Sequence, residues 1–406
     1  MSHQTLLVTL SGLDQPGVTR QLFTALDDYP VTVDDIEQLV VRGRLVLSVL
    51  LSIDAAEDDQ LLADLRRAAR LVAAELDMEV ATVTGAREDS AHRRDRITVT
   101  VLGSPLRPSA IAQVARVIAD RGGNIDRIRR IASYPVTAVV FESSGAEVDE
   151  LRHALTSGVG RIGADIAVQA DGLDRRGQHL VVMDVDSTVI QEEVIDLLAE
   201  EAGVVEQVSA STERAMAGEM DFKESLRARV ALLEGLPESA LDTVRSRITL
   251  TPGARTLCRT LSNLGYRVCL VSGGFIEVVG HLASDLGVDK VRANTLEVKD
   301  GLLTGRVVGE IIDRAGKRRA LESFAAEYGI PMRRTIAIGD GANDVDMLKA
   351  AGLGVAFNGK AAARAAADTS VSVPYLDSVL YVLGITREEI EEADAITGFS
   401  TPAPPV

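Results

Sequence analysis

The sequence predicts an α/β protein: a Rossmann-like parallel sheet with a helical cap, preceded by two ferredoxin-like units. Three observations carry this. A β-α-β-β-α-β order of apolar patterns occurs twice in tandem before residue 170. From His179 onward, short uniformly apolar runs alternate with helical stretches and end abruptly in polar clusters. About 80 residues separate the first of these runs from the second, far more than a simple crossover of about a dozen needs.

In the first unit, residues 4–11 read as a strand and 17–28 as a helix with Val18, Leu22, Phe23 and Leu26 on one face. Strands at 34–42 and 44–53 meet at Gly43; a helix carrying Leu61, Leu62, Leu65 and Leu76 and a strand at 78–84 complete the order. The second unit repeats it with strand 96–102, helix 109–121, strands 124–132 and 137–142, helix 147–156 and strand 164–169. Charged, turn-rich segments of mixed sign, Gly85–Arg96 and Asp171–Gln178, read as solvated linkers. The expected boundaries are therefore 1–87, 88–172 and 173–386, with 387–406 a flexible tail ending in TPAPPV.

In the third segment the runs LVVM, VCLV, TIAIG and LGVAF precede Asp184, Ser272, Asp340 and Asn358. Continuous apolar runs between helices indicate a parallel sheet covered on both faces. Ligands in such sheets sit beyond the carboxyl ends of the strands, where three of these runs place polar clusters. Residues 191–250, rich in Glu, Ala, Leu and Arg, read as helices inserted over that edge as a cap.

Composition narrows the function. A net charge of −17 over 406 residues argues against non-specific nucleic-acid binding. No stretch approaches the roughly 18–20 apolar residues of a membrane span, and a cytoplasmic protein is expected. The two cysteines, Cys258 and Cys269, read as buried free thiols, and five scattered histidines offer no zinc site.

Asp184 and Asp186 follow a buried strand and can both point into a cleft; alone, the pair could equally cap a helix. The cluster Gly339-Asp340-Gly341-Ala342-Asn343-Asp344 adds two more carboxylates at the same sheet edge. Four acids gathered there repel unless a cation sits among them, and all-oxygen ligation points to Mg²⁺. Ser272-Gly273-Gly274 offers a hydroxyl and closely approachable amides for a phosphate. Lys317 can supply a point charge, with Arg318 and Arg319 adjacent in register.

Together, DVDST at 184–188, SGG at 272–274, Lys317 and GDGAND at 339–344 resemble the four motifs of the haloacid dehalogenase (HAD) superfamily. The insertion resembles the helical cap of its phosphoserine phosphatase family, notably at Met216–Phe222 and Ser225–Leu233. The resemblance implies that Asp184 is the nucleophile and forms an aspartyl phosphate, and that Asp186 is the acid and base. It implies Mg²⁺ held by Asp184, the Asp186 main-chain carbonyl and Asp340, with Asp344 in support. Ser272, Gly273, Lys317 and Asn343 would hold the phosphate. Glu193 and Arg229 would read the amine and carboxylate of O-phosphoserine, Glu192 being the competing acid. Met216 and Phe222 could equally be cap core. The implied activity yields L-serine and phosphate, the last step of serine biosynthesis. Another phosphomonoester, transfer to an alcohol, or an inactive amino-acid-binding relative are the alternatives.

In the first unit, Gly12-Leu-Asp14-Gln-Pro16-Gly17 lies between strand and helix and resembles the ACT domain, an amino-acid-sensing module. Asp14 and Gly17 would then bind an effector, with serine a plausible one, and the module would pair across subunits in a homodimer or higher oligomer. The second unit departs from the pattern: Gly103–Ser109 lacks the acid, and Ser109 replaces the glycine, although Gly122-Gly123-Asn124 could contribute to a loop at the site. A spacer or assembly role is the alternative.

Overall fold

Alternation along β1 (Gln4–Leu13) turns Leu6, Val8 and Leu10 to one buried face, so the strand has one wet and one dry side. In the computed structural model, which describes residues 4–53, 59–85, 96–172, 175, 177, 179–216, 220–399 and 401, this strand belongs to the first of two compact units, Met1–Arg93 and Arg94–Val406. It pairs antiparallel with β3 (Arg44–Ile53) and β4 (Glu79–Thr84), and β2 (Val31–Val41) forms the far edge, in the order β2-β3-β1-β4. The buried residues of α1 (Val18–Leu26) and α2 (Asp59–Glu75) close the dry face, among them Leu22 and Leu65. Gly17 opens α1 at φ 96°, a left-handed conformation that costs a side-chain-bearing residue free energy.

The second unit begins with the same topology. Strands β5 (Ile97–Gly103), β6 (Asn124–Ala132), β7 (Thr137–Ser144) and β8 (Asp165–Ala170) run in the order β6-β7-β5-β8 under α3 (Pro108–Asp120) and α4 (Val148–Ile162). Here, however, every residue of β5 is buried. The sheet's second face contributes Leu102, Ala138, Val140 and Ala167 to the same core as the parallel sheet that follows. Polar contacts fasten this seam: the Asp165 carboxylate accepts from the Ser372 amide (2.7 Å) and hydroxyl (2.9 Å), and Thr369 donates to the Ile166 carbonyl at 2.8 Å.

The remaining strands are β9 (Leu180–Met183), β10 (Arg267–Phe275), β11 (Lys290–Lys299), β12 (Leu302–Val308), β13 (Thr335–Gly339), β14 (Leu353–Phe357) and β15 (Thr369–Val371). They form one sheet ordered β12-β11-β10-β9-β13-β14-β15, parallel except for β12. Between β9 and β10 stand the cap helices α5 (Val194–Ala202), α6 (Val205–Met216), α7 (Phe222–Ala231) and α8 (Ala240–Arg247). The chain enters and leaves the cap through a paired stem, Ile190 bridging to Leu250. Helices α9 (Ala254–Asn263), α10 (Ile276–Leu286), α11 (Arg314–Tyr328), α12 (Val345–Ala350), α13 (Ala361–Ala366) and α14 (Ser378–Val382) complete the layers.

The expected flexible tail needs correction. Residues Arg387–Ile396 form a helix, α15, opened by a capping box in which Thr386 and Glu389 satisfy each other's amides. Ile390 is fully buried, and Arg259 clasps Asp394 with two bonds of 2.8 and 2.7 Å. Thr386-Arg-Glu-Glu389 encodes this helix start locally, ahead of the terminal prolines. The TPAPPV end beyond Thr401, most of the first linker and half of the second, and residues 217–219 within the Met216–Phe222 stretch lie outside the described residues. The β11–β12 hairpin was not foreseen.

Candidate active site

Strand order reverses at β9: β10 and β11 lie to one side, and β13 to β15 to the other. Met183 stands level with both Leu270 and Ile338, so the residues just beyond these strands face one crevice. Asp184, Ser272 and Asp340 occupy it.

The chain leaves β9 in a wide turn, Val185–Val189, closed by the Ile190 amide donating to the Val185 carbonyl at 3.0 Å. Within it Ser187 adopts φ 56°, unusual for a residue with a side chain. The turn aims successive polar groups at the crevice. Asp184 accepts from the Val185 amide at 2.7 Å. Asp186 accepts from the Val194 amide (2.9 Å) and from the Ser272 hydroxyl (2.8 Å). Ser272 in turn accepts from the Gly274 amide at 2.7 Å. A Cβ on Gly274 would stand 3.0 Å from both the Asp186 carboxylate and the Ser272 hydroxyl, so a side chain there would crowd the pair.

Behind the crevice, α11 delivers Lys317, whose Nζ lies 2.6 Å from Asp184 Oδ2 and 2.7 Å from Asp344 Oδ1. The three side chains are at most 2% exposed. Asp344 is also held by the Gly341 amide at 2.9 Å. Burial, then the charge of Asp344, pushes the Asp184 carboxyl well up, and Lys317 pulls it back. Burial alone would lower Lys317, but the two carboxylates override it and hold the ammonium charged.

Carboxylate oxygens of Asp184, Asp340 and Asp344 all lie within 4.8 Å of one another. Around the cleft, among the described residues, Asp184, Asp186, Glu193, Asp340 and Asp344 face Arg229, Lys317 and Lys360 as cations. This residual negative charge and the hard oxygen donors suit a divalent cation.

The cap forms the roof. Ile195 of α5 and Phe222, Leu226 and Arg229 of α7 line the cleft with Gly273, Gly274 and Asn343. Glu193, at the start of α5, accepts from the Ser187 hydroxyl at 2.9 Å. Burial, then the neighbouring Asp186 charge, raises its carboxyl to about 7. Burial lowers the Arg229 guanidinium, opposed by Asp196 and Glu193.

Comparison with known proteins follows these lines. Residues 181–349 match the haloacid dehalogenase-like hydrolase family, and residues 4–81 and 96–169 each match an ACT domain. A phosphoserine phosphatase of Streptomyces coelicolor is 55% identical over 97% of this chain and 95% of its own length. The chain belongs to the phosphoserine phosphatase family. A further phosphoserine phosphatase, from Mycobacterium tuberculosis, is 49% identical over 96% of each chain. Among solved structures, a probable phosphoserine phosphatase from Vibrio cholerae in unliganded form superposes with a TM-score of 0.58 at 34% identity, covering 75% of this chain and 91% of that one.

Within this phosphoserine phosphatase fold, positions left open by the sequence become distinct. Glu193 lines the cleft, whereas Glu192 turns away and accepts from the Thr249 amide at 3.0 Å. Lys317 is buried, whereas Arg318 and Arg319 pair with Glu322 and Glu310 on the surface. Phe222 lines the cleft, and the Met216 side chain lies outside the described residues. Lys360 was missed: it precedes α13 and reaches Asp340 Oδ2 at 3.0 Å. Its signal was the polar step Asn358-Gly359-Lys360 after the fourth apolar run. Asp14 and Gly17 belong to the first unit, on the loop between β1 and α1, where Asp14 is exposed.

Proposed function

We propose that this chain hydrolyses O-phospho-L-serine to L-serine and phosphate with Mg²⁺, through an aspartyl phosphate on Asp184. The observation that most supports the reading is the placement of Asp184: buried, oriented by the Val185 amide and Lys317, and 1% exposed at the floor of a cleft roofed by Glu193 and Arg229.

Asp184 attacks phosphorus as the bond to the serine oxygen breaks, and Asp186 gives that oxygen a proton. Asp186 then removes a proton from the water that attacks the aspartyl phosphate, which returns Asp184 and frees phosphate. The Val194 and Ser272 bonds fix Asp186 for both transfers. Ser272, Gly273, Asn343 and Lys317 hold the phosphoryl group. Asp184, Asp340 and the Asp186 main-chain carbonyl would hold Mg²⁺, with Asp344 steadying Lys317; when bound, the ion would supply positive charge to offset that of the phosphoryl oxygens. Glu193 takes the substrate ammonium and Arg229 its carboxylate.

The modules are taken as 1–87, 88–172 and 173–386, the last extended by α15. Asp14 and Gly17 form the effector site, with serine the ligand. Exposed Ile36, Leu39 and Val41 on the edge strand β2 support assembly of a homodimer or larger oligomer, and the protein acts in the cytoplasm.

The test is phosphate release by the purified chain over a panel of phosphomonoesters, with and without Mg²⁺ and with added serine. O-phospho-L-serine should lead by kcat/KM and require the metal. A better substrate lacking the amino acid group overturns the assignment.

A further inference from the structure

A second cavity lies at the opposite end of the parallel sheet. His179 and Tyr266 immediately precede β9 and β10, and Thr335 and Leu353 begin β13 and β14; all four line it. The active-site cleft is at the carboxyl ends of the same strands, so the two are separated by the length of the sheet. The other wall comes from the ACT-like module preceding the sheet, through Arg152 of α4 and Gln169 of β8. Arg175, in the segment joining the modules, stands between them.

The charge of this cavity is the reverse of the chain's. The protein carries −17 overall, yet Arg152, Arg175, Arg333 and His179 line the space, and no carboxylate is among its described lining residues. Arg152 is compensated by Asp149 at 2.7 Å and by Asp368 at 3.8 Å. Arg175 is less well served. Its guanidinium donates to the Thr98 hydroxyl at 2.9 Å and lies 3.5 Å from the Val382 carbonyl, while its Nε is buried with no hydrogen-bond partner. A half-buried guanidinium whose Nε is shut off from water without a partner, and which has no carboxylate within ion-pair distance among the described residues, is costly to keep, Asp171 and Glu142 attracting it only from farther away. An oxyanion is the group that satisfies such a fork, since planar N–H pairs match carboxylate and phosphate oxygens.

We propose that this cavity is a second ligand site, for a small oxyanion of the phosphate class, bound by Arg175 and Arg333 with Arg152 at the module wall. Tyr266, Ile336 and Leu353 give it an apolar side that suits the organic part of a phosphate ester. Because its walls belong to both modules, a ligand here ties the ACT-like module to the amino ends of the catalytic strands. This site is independent of the substrate assignment above.

The test is calorimetric titration of inorganic phosphate into the full chain in EDTA, for the native protein and for Arg175→Gln/Arg333→Gln. Binding at the catalytic cleft is common to both and cancels. The native protein should take up one phosphate equivalent that the double variant lacks or binds at least tenfold more weakly, with affinity falling as NaCl rises. Far-UV circular dichroism and turnover of O-phosphoserine in phosphate-free buffer should be unchanged in the variant. If the double variant misfolds, Arg333→Gln alone serves, with Arg333→Lys expected to recover part of the binding. Phenylphosphonate separates the sources: tighter binding than inorganic phosphate identifies an ester, and weaker binding identifies free phosphate. Either ranking upholds the site. Superimposable isotherms for native and variant protein overturn it.

Discussion

Replacing Lys317 with methionine keeps the length of the side chain and removes its charge. In the native fold the ammonium sits 2.6 and 2.7 Å from two carboxylates, with all three groups nearly excluded from water. Each contact is worth about 6 kcal/mol of Coulomb attraction at an effective dielectric constant near 20, most of it offset by desolvation. The consequence of the substitution is therefore set by what is left behind: two carboxylates that repel in a buried site, one of which must take up a proton. Breaking a buried pair in this way costs about 3–5 kcal/mol. At about 2–4 °C per kcal/mol for a module of this size, thermal unfolding should fall by roughly 10 °C. Lys317→Met/Asp344→Asn should recover about half of that, because it neutralises one acid and keeps an acceptor for the Gly341 amide. Thermal and urea unfolding in EDTA read the stability. Turnover with Mg²⁺ should fall at least about 100-fold in the single variant. A single variant within about 1 kcal/mol of native, or a double variant no more stable than the single, would refute the account.

The Glu193 carboxyl, raised from 4.5 to about 7, holds its proton longer in the folded apo-protein than in the unfolded chain. Its stability contribution is thus full below the unfolded value and lost as pH rises through about 7. Binding runs the other way, because the ammonium of the substrate needs the carboxylate. KM for O-phosphoserine should fall between pH 6 and 8, and Glu193→Gln should flatten that profile and lower kcat/KM by about 10–100-fold. A profile unchanged in the variant removes Glu193 from amine recognition. Arg259→Ala takes two hydrogen bonds from Asp394, 2% exposed and left with the Thr401 hydroxyl, and should cost about 3 kcal/mol, opening α15 to limited proteolysis before the rest of the chain. Protease resistance equal to native would mean the helix is held otherwise. Burial lifts the Cys258 and Cys269 thiols to about 12 each. Neither should react with a disulfide reagent at pH 8 until the protein is unfolded, and prompt labelling of the native protein would contradict that burial.

What could be read directly was whatever one short stretch of chain encodes. Asp184, Ser272 and Asp340 each end a run of buried apolar residues, and a parallel sheet must bring such ends together. The repeated β-α-β-β-α-β order was legible for the same reason, since periodicity is local. Helix α15 was encoded equally locally, in Thr386 and Glu389, and was missed because composition was weighed above capping.

The rest belonged to tertiary structure. Glu193 differs from Glu192 only through the wide turn at Val185–Val189 and the cap stem, which send one acid to the cleft and the other to Thr249. Lys317 differs from Arg318 and Arg319 only through the face that α11 buries. Lys360 reaches Asp340 because β14 lies beside β13 in the folded sheet. The ACT-like units show the division most plainly. Strand β5 carries alternating Thr98 and Thr100, yet unlike β1 it is buried throughout because its second face packs on the catalytic sheet. Sequence by itself determined which elements form and which strand ends carry the acids, since those follow from residue periods of two and about 3.6. Which faces meet, and so which charges are buried together, depended on contacts between residues far apart in the chain, and only the packed structure decided them.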